Sequence, residues 1–130
     1  MERHGFAVTR HYLGFATAWR AEFTHGSNPH RTIGLQSEMD ALPNIGHACG
    51  HNLIAISGVA IAIGLKTALE QHNISGRIIL LGTPGTSTGG EFTSVAIRSL
   101  ISGETAEEHG GGKIKLLERG AYKDMDVCLM

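Results

Sequence analysis

Apolar positions fall along the chain in runs of different period, and those runs predict its elements. Residues 6–8 and 12–23 mix aromatic and small apolar side chains and read as strand-like. Gly26, Ser27, Asn28 and Pro29 make residues 24–31 a turn. A short strand is expected over residues 32–37, with Glu38 and Asp40 at its carboxyl end. Residues 43–50, with a proline and two glycines, read as a loop. The clearest helix spans residues 51–72, which lack proline and carry Leu53, Ile54, Ile56, Val59, Ile61, Leu65 and Leu69. Its first half is apolar nearly all round, which predicts burial on more than one side. Asn73 and Gly76 stop it.

Residues 76–82, Gly-Arg-Ile-Ile-Leu-Leu-Gly, are continuously apolar rather than alternating, the pattern of a buried parallel strand. Residues 84–103 begin with Thr, Ser and Gly and continue with Phe92, Val95, Ile97, Leu100 and Ile101, which fits a loop with a short amphipathic helix. A helix is expected over residues 113–119 and a last strand over 124–130. Alternating strand, helix and strand predicts an α/β fold with parallel strand pairs. No internal repeat is evident.

Composition narrows the function classes. A chain of 130 residues is one domain or a piece of one. With net charge −1 and 5% aromatic residues, it offers neither a basic patch nor a stacking platform, so neither nucleic acid nor an anionic membrane is an expected partner. Cys49 and Cys128 do not make a disulfide framework. Met1-Glu2-Arg3-His4 lacks the apolar stretch of a secretory signal. The longest apolar run, residues 53–65, is interrupted by Gly58 and Gly64 and falls short of the roughly 18–20 residues of a membrane span. A soluble, reducing, cytoplasmic setting is the expectation.

Chemistry concentrates in Ser37-Glu38-Met39-Asp40-Ala41-Leu42-Pro43 and His47-Ala48-Cys49-Gly50-His51-Asn52. Carboxylates, a thiol and two imidazoles gathered just before a long helix are the donors that a divalent metal takes. Cys49 and His51, two apart, can point the same way, and a thiolate is easier to form near a helix N-terminus. The plain alternative is a small cysteine beside a surface histidine. Glu38 and Asp40 alternate onto one face, and a carboxylate there can orient a ligand histidine; alone, they read equally as two solvated acids. Glu107 and Glu108 precede Gly110-Gly111-Gly112, and adjacent carboxylates diverge, so that one can bind metal while the other serves as general base. A Cys-His nucleophile is a weaker reading, because such pairs are assembled from distant segments. A structural zinc finger lacks its second Cys/His pair. His4, His11, His25, His30 and His72 read as surface residues.

These motifs resemble the aminoacylase and carboxypeptidase family of two-metal peptidases (peptidase family M-twenty), specifically its amidohydrolase branch with aminoacylase-like dipeptidases. The signature is EMDALPNIGHACGHN, extended by GRIILLGTP, AEEHGGGKIKLLERGAYKDMDVCLM and the upstream GFAVTRHYLGFATAWRAEF. The resemblance implies a longer, two-domain enzyme that hydrolyses an amide or peptide bond in an N-acyl amino acid or small dipeptide. It implies zinc or manganese, two ions in a complete site, and a homodimer formed through a lid domain. Cys49 and His51 match the metal ligands of the Cys-Gly-His motif, and Glu108 a further ligand. Glu107 matches the general base, and Asp40 the acid that steers the site from behind its ligands. Glu38 stands where other branches carry a metal histidine.

The chain departs from the family pattern twice. Residues 85–105 intervene between the Gly-Thr-Pro strand end and Ala-Glu-Glu, about twenty residues where connections are normally about 2–6. Such an insertion has the character of an intron translated in frame. The chain also stops where the family's next strand would deliver another ligand histidine. The expectation is therefore the N-terminal portion of an α/β metallopeptidase catalytic domain with a mostly parallel sheet, over residues 1–130, with the lid and dimerisation domain absent and little turnover. The alternatives are a non-catalytic metal-binding or interaction fragment and an incorrectly assigned gene.

Overall fold

A computed structural model of the chain describes residues 1–40, 46–84 and 111–130. Among the described residues, five strands and two α-helices make a mixed α/β fold: β1 (Ala7–Arg10), β2 (Trp19–His25), β3 (Thr32–Ser37), α1 (His51–Gln71), β4 (Gly76–Gly82), α2 (Gly112–Glu118) and β5 (Val127–Leu129). The strands form one sheet in the order β1-β2-β4-β3-β5. The expected parallel pairing holds for β3 with β4 and for β3 with β5. The β1–β2 and β2–β4 pairings are antiparallel.

β4 is apolar without alternation because both of its faces are covered. Ile78 and Leu80 join Phe6, Ala21, Leu35 and Ala62 in one core, on the side where α1 packs. Ile79 and Leu81 join Leu116 of α2 and Ala121 in a second core on the opposite face. Each of these four β4 side chains is at most 1% exposed, and burial of this kind stabilises by about 1.5–3 kcal/mol per side chain. Across the β2–β4 pair, Trp19 faces Gly82. A Cβ at residue 82 would collide with the indole, so glycine ends the strand there.

α1 departs from its expected burial. His51, Ala55, Gly58 and Ala62 are its buried residues, one stripe at helical spacing. Leu53, Ile56 and Ile61 are 64%, 64% and 49% exposed. The helix is thus buried on one side among the described residues, not on several. Uniform apolar composition concealed which stripe faces the sheet, and small residues decide it. A Cβ at Gly58 would strike the Gln36 carbonyl oxygen of β3. With 21 residues and a mean hydropathy of 1.7 in its most apolar window, α1 also has the length and composition of a membrane span, which the shorter uninterrupted run did not suggest. Among the described residues it packs one face against β3 and β4.

In the N-terminal region the strand predicted over residues 12–23 is shorter at its start. Tyr12–Gly14 form a 3-10 turn, with His11 and Leu13 at φ 53° and 55°, and the strand starts at Trp19. Strand β2 also continues to His25, into the stretch predicted to be turn. The predicted loop and helix over residues 85–103 lie outside the described residues, as does the suspected insertion.

A charge network ties the two ends of the chain together. Arg20 Nη2 donates to Asp124 Oδ2 at 2.5 Å and to Glu22 Oε2 at 2.8 Å, and Nη1 donates to the Tyr12 hydroxyl at 2.8 Å. Arg77 also donates to Glu22 and lies 3.2 Å from Asp124. Burial pushes the Glu22 carboxyl up, but hydrogen bonds from Arg20 and Arg77 and their charges outweigh it and hold the group below its ordinary range. The Arg20 hydrogen bond does the same to Asp124 against a smaller burial effect.

Candidate metal centre

The carboxyl ends of β3 and β4 and the start of α1 meet at one place. Parallel strands of an open sheet present ligands at their carboxyl ends, and Glu38 and Asp40 lie just beyond Ser37, the last residue of β3. The Thr83 amide donates to the Ser37 carbonyl at 3.0 Å, closing this end of the sheet. The Ser37 hydroxyl donates to the Ala55 carbonyl at 3.4 Å, tying it to α1. Gly50 has φ 80° and ψ 14°, the left-handed conformation that glycine adopts without strain, and it turns the chain from the Cys49 segment into the helix.

His51 opens α1 with its side chain only 8% exposed. Its Nδ1 lies 2.5 Å from Asp40 Oδ1, and the Asp40 side chain is 11% exposed. Glu38 joins them: one donor atom from each of Glu38, Asp40 and His51 falls within 4.8 Å of the others. Glu38 is the unusual member. It is 1% exposed, and neither carboxylate oxygen has a hydrogen-bond partner among the described residues. Lys113 of α2 supplies charge without an aligned hydrogen bond, its Nζ lying 2.7 Å from Glu38 Oε1.

That donor set fits a divalent cation. A buried carboxylate lacking hydrogen bonds is costly unless a cation compensates it. The Asp40 carboxylate against Nδ1 fixes the ring so that Nε2 is the nitrogen a metal would take, the carboxylate–histidine arrangement of metal sites. A carboxylate and an imidazole, with a second carboxylate behind the ring, are donors that both zinc and manganese accept.

The predicted residues do not all gather here. Asp40 and His51 are together, and Glu38 stands closer to the centre than the sequence indicated. Cys49 is exposed on the turn before α1 and stands outside the three-donor group. Glu107 and Glu108 lie outside the described residues. His47 is exposed, its Nδ1 3.2 Å from the Asp40 carbonyl. His4, His11, His30 and His72 are exposed as expected, while His25 is half-buried with its Nε2 3.1 Å from Asn73 Oδ1.

Sequence reasoning missed Lys113. It is the first side chain of α2 after Gly112, and only the fold carries it from there to β3. Its ammonium also lies 3.0 Å from Met130 Sδ. Beside it opens a largely apolar cavity of about 340 Å³ lined by Gln36, Ile114, Leu117, Tyr122, Cys128 and Leu129. Burial pushes the Cys128 thiol up, which makes it a poor nucleophile. Cys49 and Cys128 form no disulfide with each other.

No family model matches the chain. Among curated proteins it is similar to the Xaa-Arg dipeptidase of Mus musculus, with 42% identity over 96% of this chain and 25% of the relative. The Xaa-Arg dipeptidase of Homo sapiens is 40% identical over 96% of this chain and 26% of the relative. A component of the p-aminobenzoyl-glutamate hydrolase of Escherichia coli (strain K12) is 30% identical over 99% of this chain and 25% of the relative. The chain spans about a quarter of the length of the curated relatives it matches.

Proposed function

Because this chain belongs to the aminoacylase and carboxypeptidase family, in its amidohydrolase branch, we propose that it forms part of a metal-dependent hydrolase of amide or peptide bonds. The observation that carries this reading is the Glu38–Asp40–His51 group at the carboxyl end of β3, with its buried carboxylate lacking hydrogen bonds. The proposed substrate is a small dipeptide or N-acyl amino acid. The names of the relatives, Xaa-Arg dipeptidase foremost, support that class.

The chemistry that a bound zinc or manganese ion supplies is polarisation of the scissile carbonyl and acidification of water. His51 would hold the ion, and Asp40 would fix the His51 ring through Nδ1. Glu38 contributes negative charge from a dry position, where a charge acts more strongly than in water. Cys49 and Glu108 are proposed as further ligands and Glu107 as the group that carries the proton; these three roles rest on the resemblance alone. Two ions per complete site and a homodimer are likewise proposals from the family.

The domain reading, part of a catalytic domain interrupted by a non-family insertion at residues 85–105, is proposed on the same basis. Expressed as these 130 residues alone, a quarter of its relatives' length, the chain is proposed to turn over little substrate, because positioning supplies a large part of catalysis. Hydrolysis of a panel of Xaa-Arg dipeptides and N-acetyl amino acids tests the reading, by the 130 residues and by any longer product of the same gene. Chelator-sensitive hydrolysis by the longer product alone supports both parts. A longer product that hydrolyses none of the panel with zinc or manganese present contradicts the hydrolase reading.

A further inference from the structure

Among the described residues Lys113 is the cation paired with the most deeply buried member of the metal-donor group, and the sequence motifs assign it no role. Glu38 is 1% exposed, its oxygens accept no hydrogen bond among the described residues, and the Lys113 ammonium lies 2.7 Å from Oε1. The Lys113 side chain is 29% exposed. Its aliphatic stem therefore has a route to water, along which the ammonium can leave Glu38 while the carboxylate stays buried.

We propose that Lys113 is the resident counter-cation of Glu38 and that it competes with a divalent ion for that carboxylate. The inference rests on the metal reading above and adds regulation of the same site. In the metal-free chain the ammonium offsets a buried charge that would otherwise be uncompensated. When a divalent ion enters between Glu38 and His51, it meets a like charge 2.7 Å from one of its donors. Lys113 must then swing outward, so that part of the metal's binding energy is spent on displacing it. The pairing keeps the metal-free protein folded and makes the site selective for an ion able to evict the lysine.

Titration of Mn²⁺ into the wild-type chain, Lys113→Met, Lys113→Arg and the double variant Glu38→Gln/Lys113→Met tests this, together with the thermal midpoint of each without metal. Lys113→Met is expected to bind Mn²⁺ about tenfold more tightly than wild type, the scale of one close repulsion at a partly exposed site. Its metal-free midpoint is expected to fall, and to recover in the double variant, where no buried charge is left. Lys113→Arg keeps the charge and stays near wild type in affinity. A Lys113→Met chain that folds only when Glu38→Gln is added supports the pairing in the same way. Equal or weaker Mn²⁺ binding by Lys113→Met overturns the competition while leaving the metal reading standing. A metal-free midpoint that Lys113→Met does not lower overturns the counter-cation role. Absence of Mn²⁺ binding in every variant overturns the metal reading, and the competition falls with it.

Discussion

Asp40 Oδ1 stands 2.5 Å from His51 Nδ1, joining the residue three past the end of β3 to the first residue of α1. In the proposed metal centre this pair is what makes a ligand of a histidine that would otherwise be an ordinary buried ring. Asp40→Asn keeps the shape but removes the negative charge behind the imidazole. It is expected to weaken zinc or manganese binding by about 10–100-fold, with the circular dichroism spectrum unchanged. Metal titration of the variant against wild type checks this.

Arg20 and Asp124 hold the ends of the chain together across 104 residues. Removing a buried cation leaves carboxylates behind, but Asp124 is 40% exposed and Glu22 keeps Arg77 as a partner. Arg20→Met is therefore expected to destabilise by about 2 kcal/mol, below the range for fully buried pairs. Urea unfolding monitored by Trp19 fluorescence measures it.

The same network sets an acid limit. Glu22 and Asp124 both titrate lower in the folded chain than in the unfolded one. Below their unfolded values, around 4, the unfolded chain takes up protons that the folded one refuses, so stability is lost as pH falls through the folded values. The thermal midpoint is expected to drop as pH falls below about 4. Asp124→Asn should flatten that slope while lowering stability at about pH 7. A slope as steep in the variant as in wild type would count against this assignment.

Gly58 lets α1 approach β3, and through β3 it sets the spacing between His51 and Asp40. Gly58→Ala places a methyl group against the Gln36 carbonyl and Leu80. Overpacking of this kind costs about 1–3 kcal/mol, and here it should also weaken metal binding, because the helix carries His51. Thermal melting and metal titration on the same preparation separate the two effects.

Much of this was legible in the sequence. The strand over residues 32–37 and the helix from His51 stand where the pattern placed them, because turn chemistry brackets each. β4 was legible as a doubly covered strand from Ile78 to Leu81, although one neighbour proved antiparallel. Tyr12–Gly14 was illegible, since aromatic and small residues there pack as well in a 3-10 turn as in a strand. The exposed side of α1 could not be read from composition that is apolar all round. At the site, the clustering of Glu38, Asp40 and His51 before the helix marked the place, while the separate roles of Asp40 and His51 came from the family resemblance. The encounter of Glu38 with Lys113, 75 positions further on, required the sheet to bring β3 and α2 together.

The measurement that tests the account most directly is a calorimetric titration of zinc and manganese into the purified chain and into His51→Ala, both shown to be folded. Saturable binding by the wild-type chain, lost in His51→Ala, is the predicted result. A folded wild-type chain that binds neither ion, or a His51→Ala variant that binds equally well, would contradict the metal centre built on Glu38, Asp40 and His51.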